Sequence, residues 1–457
     1  MPKQRPQRIS IIVSNQFDKD LVLTPWMDSI LNAPQILVGL SGGMDSMLLL
    51  KLLAERIDPE LICAVHINHG LSPNADLWQA TASEFCAALG VDFYSRSVQV
   101  KSTGLGIEAA ARQQRYKVFE DLLKPGGLLF LAHHADDQAE TLLYRLFRGS
   151  GPKGLAAMAN YRSIGSGVLI RPLLTFNKSQ LNDCATELGL HWIEDESNQD
   201  NSFDRNYLRN KVLPEVGHRW PDYSQSLQRT AQLCAESEQL VEDLAKEDLL
   251  HLDVRQERAG WSINISSLSL LSPPRQRNIL RHWPGLNEMP MPGSKIINQI
   301  MDTVIAARDD ATPKVVWQSM QWARFQGRLY LLLLQAESCP QQQSTEWDLR
   351  STLKLADNSI LLCEEVIGHG LRLDVGPVEV RCRQGGERCR PEGRAHSSSL
   401  KKLLQEYALP PWWRDRIPLL YVQDQLVAVG DLWVCEGWAV ASGEKGVEIK
   451  WLVDCLS

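Results

Sequence analysis

The stretch ILVGLSGGMDSMLLLKLL, residues 36 to 53, places an apolar run before Ser41, Gly42, Gly43, Met44, Asp45 and Ser46, then resumes with leucines at helical spacing. A helix that starts there offers unpaired N–H groups and the positive end of its dipole, and two glycines let an anion approach the main chain. The chemistry would be phosphate binding. No lysine follows the glycines, as GxxxxGK[ST] would require, so the turn is either a different phosphate loop or only a tight turn. Further along, His133 ends an apolar run, and Asp137 and Glu140 are three apart, hence on one helical face. Arg205 and Arg209, four apart, share a face in the same way.

The elements that must position these groups alternate. LICAVHINHG (61–70) reads as a buried strand, ADLWQATASEFCAALG (75–90) as a helix stopped by glycine, and VDFYSRSVQV (91–100) as a strand. Residues 106–127 read as a helix, 128–134 as a buried strand and 136–151 as a helix with Asp136 as N-cap. This order predicts an α/β fold with a parallel sheet covered on both faces and ligands beyond the C-terminal strand ends. The 41–46 turn and the tips at 66–69 and 133–137 then share one rim. A strand over 168–174, a helix over 178–188 and a helix starting near Phe203 complete a domain spanning 1–217. A mostly helical middle domain is expected over 218–334, opening with an amphipathic helix from Trp220 to about Leu250. A glutamine-rich linker (335–347) and a small α+β domain (348–457) with one serine-capped helix in 397–410 follow.

A chain of 457 residues exceeds what one core usually serves. No apolar run reaches a membrane span, and ISIIV near the N-terminus is too short for a signal segment, so a cytoplasmic location without a membrane partner is expected. Ten cysteines without a C-x-x-C pair predict reduced thiols rather than a disulfide frame or zinc site. The formal charge of −7 argues weakly against a nucleic-acid partner, but residues 381–416 carry nine basic residues against four acidic. A solvated basic face and a polyanion partner both fit that segment.

SGGMDS after a strand resembles the PP-loop of the ATP pyrophosphatase superfamily, an adenine nucleotide alpha hydrolase-like fold. AARQQRYKVF (110–119), LAHHADDQAETLLYRLFRGSG (131–151), DESNQDNSFDRNYLRNKVLP (195–214) and GGERCRPEGRAHSSSLKKLLQEYALPPWWRDRIPLLY (385–421) are similar to the tRNA(Ile)-lysidine synthetases. The resemblance implies a ligase acting on the wobble cytidine of a minor isoleucine tRNA with a CAU anticodon. ATP, with Mg2+, adenylates the oxygen on carbon 2, and the ε-amine of free L-lysine displaces AMP. It implies that Ser41, Gly42, Gly43, Met44, Asp45 and Ser46 hold the phosphates, with Asp45 also on the magnesium. The side chains of Met44 and Met47 are expected to point away from them.

By the same resemblance Arg112, and less so Arg115, would meet the α phosphate, and His133 the adenylated intermediate. Asp137 and Glu140 would pair with the lysine amine and accept its protons. Arg205, in preference to Arg209, would meet lysine's carboxylate or a tRNA phosphate. Arg388, Arg390, Arg394, Lys401, Lys402, Arg414 and Arg416 would contact tRNA outside the anticodon, and Trp412 and Trp413 offer either base stacking or core packing. A homodimer fits a family of this type. Two other readings use the same fold: a tRNA thiolase, against which the missing C-x-x-C speaks, and a non-catalytic tRNA binder, against which the intact loop speaks.

Overall fold

The computed structural model describes residues 18–453 except 71, 73, 99–106, 194–195, 309–310 and 335–343. The ISIIV segment, most of the expected linker, Cys339 and Cys455 lie outside the described residues. The chain forms two compact units, Met1–Leu240 and Val241–Ser457.

In the first unit, strands β1 (Ile36–Gly39), β2 (Ile62–Asn68), β3 (Asp92–Ser97), β4 (Leu128–Phe130), β5 (Tyr161–Ile164) and β6 (Gly167–Ile170) make one sheet in the order β3-β2-β1-β4-β6-β5. All neighbours are parallel except the β5–β6 hairpin at the edge. Alternation along β1 feeds two cores: Ile36 and Val38 pack with the leucines of the following helix, whereas Leu37 packs with Val65, Phe119 and Leu129 on the opposite face.

The helices of this unit are α1 (Lys19–Leu23), α2 (Met27–Leu31), α3 (Met44–Ala54), α4 (Ala75–Leu89), α5 (Ile107–Leu122), α6 (Ala135–Phe147), α7 (Pro152–Leu155), α8 (Lys178–Glu187), α9 (Asp204–Tyr207), α10 (Leu213–Arg219) and, as far as Leu240, α11 (Tyr223–Leu250). A π turn, Leu208–Val212, joins α9 to α10. Apolar side chains surround α3, and Leu48, Leu49, Leu50, Leu52 and Leu53 are all buried, as a helix laid directly on a sheet requires.

Several expectations change. The N-cap of α6 is His134, not Asp136, which is the second residue of the helix. The first compact unit continues past 217, since the start of α11 packs onto it: Tyr223 OH donates to Asp136 Oδ1 at 3.2 Å and Ala231 is buried.

In the second unit the middle segment carries three helices, Ile265–Ser269, Pro273–Leu286 and Ser294–Gln299, packed on an antiparallel five-stranded sheet. Only its strand Arg328–Leu333 was legible in the sequence. The turn before Met320 uses Gln318 at positive φ, a residue that gives no turn signal, and the turn before Arg328 uses Gln326 and Gly327. Residues Thr345–Trp347, the end of the expected linker, form a strand paired with Val378–Arg381, since buried Trp347 belongs to the C-terminal core.

The C-terminal segment has a five-stranded and a four-stranded antiparallel sheet around the helix Leu400–Glu406. Ser399 stands at that helix's N-cap but its side chain makes no capping bond. Middle and C-terminal segments form one unit: Trp412 Nε1 donates to Ala259 O at 3.2 Å and its ring meets Tyr330 at 5.2 Å. Seven described cysteines are free thiols, but Cys382 is disulfide-bonded, contrary to the expectation of reduced cysteines throughout.

Candidate active site

Between β1 and α3 the chain reverses through Gly42, whose φ of +88° suits a residue without Cβ. Gly43 is the N-cap in extended backbone, and no side chain takes up the first N–H groups of α3. Ser41 N donates to Ser46 Oγ at 3.1 Å, Ser46 Oγ donates to Gly43 O at 2.9 Å, and Gly43 N donates to Ser41 Oγ at 3.3 Å. Ser46 therefore gives its hydrogen to the loop itself, so a phosphate would find main-chain N–H groups and the exposed Ser41 hydroxyl. Met44 and Met47 are buried in the core below, leaving Met44 only its backbone to offer.

Because β1 and β4 are adjacent and parallel, the turn after β4 lies beside this loop. There His134 is buried, with Nε2 3.7 Å from Asp45 Oδ2 and 3.5 Å from Asp137 Oδ2, and Nδ1 3.5 Å from Asp136 Oδ2. Burial opposes a charge on this ring, but Asp137, Asp136 and Asp45 together outweigh it and push His134 up to about 9. An imidazolium donates from both nitrogens. The 3.3 Å approach of the Asp136 N–H to Nδ1 is then a crowded contact, and the reciprocal bond, His134 N to Asp137 Oδ2 at 3.0 Å, closes the first turn. Burial raises Asp45 against the pull of His134, and its Oδ1 is buried without a hydrogen-bond partner. Asp136 is tied elsewhere, accepting from Lys178 N at 2.7 Å.

Glu140 is 2% exposed. Arg209 Nε donates to its Oε1 at 2.6 Å and Nη2 to its Oε2 at 2.9 Å, a bidentate pair, while Nη2 also reaches Asp137 Oδ1 at 3.3 Å. Burial raises Glu140 although Arg209 opposes it. Asp137 is also pushed up by burial, but His134, His133 and Arg209 hold it below its ordinary value. Arg209, one of the two arginines weighed on sequence grounds, is fixed against both carboxylates. The π turn that contains it moves it away from the spacing of a regular helix.

His133 faces a basic group. Arg171, buried and not singled out in the sequence, donates from Nε to His133 Nδ1 at 3.2 Å, from Nη1 to Ala159 O at 2.7 Å and from Nη2 to Tyr116 OH at 3.4 Å. Arg112 donates to the same phenol at 3.3 Å and lies 5.1 Å from its ring centre. Burial, with Arg171 and Arg112 overriding Asp137, pushes His133 down to about 3. It is neutral, and since Nδ1 accepts, Nε2 carries the hydrogen. His66 plays no part in this group; it is buried with Nδ1 2.9 Å from Leu40 O, joining β2 to the end of β1.

The expected RNA contacts of the C-terminal segment are largely engaged within the protein. Arg390 pairs with Glu436, Arg394 with Glu406 at 2.6 Å and Arg416 with Asp357 at 3.0 Å. Arg414 donates to Leu409 O at 2.7 Å and Arg388 to Ser397 O at 3.2 Å. Trp413 is buried and Trp412 packs on Tyr330, so both indoles are core residues. Lys401 and Lys402 are exposed on their helix. The sequence showed the charge of this segment but not its distant partners.

Residues 14–216 match the PP-loop domain family, residues 263–330 the TilS substrate binding domain and residues 378–451 the TilS substrate C-terminal domain. The chain is 39% identical over 424 residues to the tRNA(Ile)-lysidine synthase of Coxiella burnetii (strain RSA 493 / Nine Mile phase I), covering 91% of this chain and 92% of that protein. It is 41% identical over 423 residues to that of Serratia proteamaculans (strain 568), covering 91% and 95%. It is 37% identical over 438 residues to that of Legionella pneumophila (strain Paris), covering 93% and 99%. With that identity over nine-tenths of its length, and with a PP-loop domain matched over residues 14–216, this chain belongs to the tRNA(Ile)-lysidine synthase family.

Proposed function

We propose that this chain is an ATP-dependent ligase that converts the wobble cytidine of a CAU-anticodon isoleucine tRNA to lysidine. A pyrimidine carbonyl is a poor electrophile until its oxygen becomes a leaving group. In the first step that oxygen attacks the α phosphorus of ATP and pyrophosphate departs; in the second the lysine ε-amine attacks carbon 2 and AMP departs. The observation that carries this reading is the meeting, at one rim, of a lysine-free phosphate turn with half-buried Asp137 and buried Glu140. A turn without lysine leaves triphosphate charge to backbone N–H groups and to a cation.

Mg2+ fits Asp45, whose raised pKa and unpartnered Oδ1 mark a carboxylate in want of a positive neighbour. Among the described residues no three ligating side chains converge, so phosphate oxygens would complete the shell. The ion would supply charge neutralisation to the departing pyrophosphate. Ser41 and the N–H groups of Met44 and Asp45 orient the phosphates, and Arg112 meets the α phosphate. His133 offers a neutral Nε2–H donor whose protonation does not change across the working pH range. Asp137 and Glu140 face a cation, Arg209, and the lysine ammonium competes for the same oxygens; Arg205 and Arg209 are the candidates for its carboxylate. Lys401 and Lys402 remain as solvent-facing tRNA contacts.

The direct test is incubation with ATP, labelled lysine and unmodified isoleucine tRNA bearing CAU, followed by nucleoside mass analysis. Lysine on one cytidine, with AMP and pyrophosphate formed, is the expected result; sulfur incorporation or an unchanged base would refute the reading. A second expectation concerns Arg171. In Arg171→Met the His133 tautomer is no longer set, so AMP formation should fall about 10- to 100-fold with the KM for ATP nearly unchanged. Nitrogen NMR should show His133 leaving the Nε2–H form. Arg171→Lys, which keeps a donor, should recover part of the rate. A fall confined to KM would mean that Arg171 acts on nucleotide binding instead.

A further inference from the structure

Two cysteines far apart in the chain meet in the core of the C-terminal segment. Cys389 closes the short strand Arg388–Cys389, which pairs with Ser398–Ser399 just before the helix Leu400–Glu406, and Cys435 follows the strand Trp433–Val434. The stretch after Cys389 lies antiparallel to the stretch around Cys435: Pro391 bridges Cys435, Glu436 N donates to Arg390 O at 2.7 Å, and Glu392 N donates to Val434 O at 3.0 Å. Cys389, two residues before Pro391, therefore shares a face with Cys435 as its diagonal neighbour, a placement that brings the two β carbons within reach of one another. The residue in line with Cys389 is Gly437, which sets no side chain between the two sulfurs; it sits at φ +82° in the turn where Trp438 N donates to Cys435 O at 3.1 Å. Both cysteines are buried in the same cluster, and their thiols are hydrogen-bonded to each other.

This pair differs from the isolated thiols. Burial pushes Cys63, Cys86, Cys184 and Cys363 up, which keeps them protonated and unreactive. A hydrogen bond from Cys435 instead holds Cys389 below the ordinary thiol range, against the opposing effect of burial, while Cys435 keeps its own hydrogen. A sulfur with thiolate character is the one that reacts first with an oxidant, and a second thiol in contact with it can close a disulfide before the first is driven to irreversible acids. A structural zinc ion would need four ligands, and among the described residues no group of three His, Cys, Asp or Glu side chains converges. Two sulfurs in contact without further ligands favour disulfide chemistry.

We propose that Cys389 and Cys435 are a modification site, oxidised by a small peroxide to a reversible disulfide, with Cys389 as the attacking thiol and Cys435 as the resolving one. The Cys389 sulfur attacks one peroxide oxygen and the O–O bond breaks, giving a sulfenic acid and water. The Cys435 sulfur then attacks the sulfenic sulfur, the S–O bond breaks, and a second water leaves with the Cys435 hydrogen. The two sulfurs thus supply the two electrons that reduce the peroxide. The new bond closes a loop that holds the helix Leu400–Glu406 and the strands Leu419–Val422 and Gln425–Val429, and closing so long a loop restricts the unfolded chain. The inference does not depend on the ligase reading.

The test treats the full chain with hydrogen peroxide, alkylates the remaining thiols and maps the digest by mass without reductant. The peptides that carry Cys389 and Cys435 should appear joined, lighter than their sum by two hydrogens, and dithiothreitol should part them again. The oxidised chain should melt about 5–10 °C above the unoxidised one. Cys435→Ala should accumulate a sulfenic acid at Cys389, captured by a 1,3-dione, whereas in Cys389→Ala the dione label at Cys435 should be about 10-fold weaker or less. Melting curves before oxidation are the folding control for both variants. If either fails to fold, the dione label caught early on the unaltered chain reads the same order of attack. Cys389 and Cys435 still open to alkylation after peroxide would overturn the proposal, as would a bridge from Cys389 to any other cysteine. A dione label that starts on Cys435 would overturn the assigned roles. Lysine incorporation by the unoxidised chain tests the ligase reading separately.

Discussion

Arg209→Met is expected to lower the stability of the first unit by about 3 kcal/mol at pH 8, roughly 10 °C in midpoint, and by much less at pH 5.5. Glu140 is buried and its two oxygens are taken by the Arg209 guanidinium. Without that partner the carboxylate is an uncompensated buried charge, and burial already raises its pKa with Arg209 present. In the variant the folded-state pKa rises further above the unfolded value. A raised carboxyl contributes its stability below the unfolded pKa and loses it as pH climbs through the folded one, so the destabilisation must grow from acid toward alkaline pH. Arg209→Met with Glu140→Gln should remove this pH dependence. Chemical denaturation at the two pH values decides the matter: equal losses at both would assign the effect to packing around the guanidinium rather than to charge.

The second large effect is catalytic. Asp45→Asn should reduce AMP and pyrophosphate formation about 1000-fold, roughly 4 kcal/mol of transition-state stabilisation, while leaving the thermal midpoint within a few degrees. The asparagine keeps the shape of the side chain and removes its charge. In the protein that charge is partly desolvated, carries an unpartnered Oδ1 and has the His134 ring at 3.7 Å. Neutralising it removes a half-buried carboxylate from the fold and a cation ligand from the phosphate turn, so stability and activity should part company. Parallel measurement of pyrophosphate release and of the melting curve tests this. A loss under 10-fold would show that the turn does not depend on Asp45 to handle triphosphate.

What could be read from the sequence was whatever depends on near neighbours in the chain. Strand and helix periods gave the parallel sheet, a glycine pair gave the positive-φ turn at Gly42, and three-residue spacing put Asp137 and Glu140 on one face. Those features are local because they follow from backbone geometry over a few residues.

The tertiary structure alone decided which charges meet. His134 is held as an imidazolium by its chain neighbours Asp137 and Asp136 and, in addition, by Asp45, which the parallel pairing of β1 with β4 brings to it from far along the chain. Arg209 rather than Arg205 is seated on Glu140 by a π turn, whose extra residue per turn no 3.6-residue count anticipates. The basic C-terminal segment loses much of its free charge to Asp357, Glu406 and Glu436, two of which lie outside it in sequence. Coulomb interactions act through space and are set by burial, so partners and protonation states become definite only once the chain has folded.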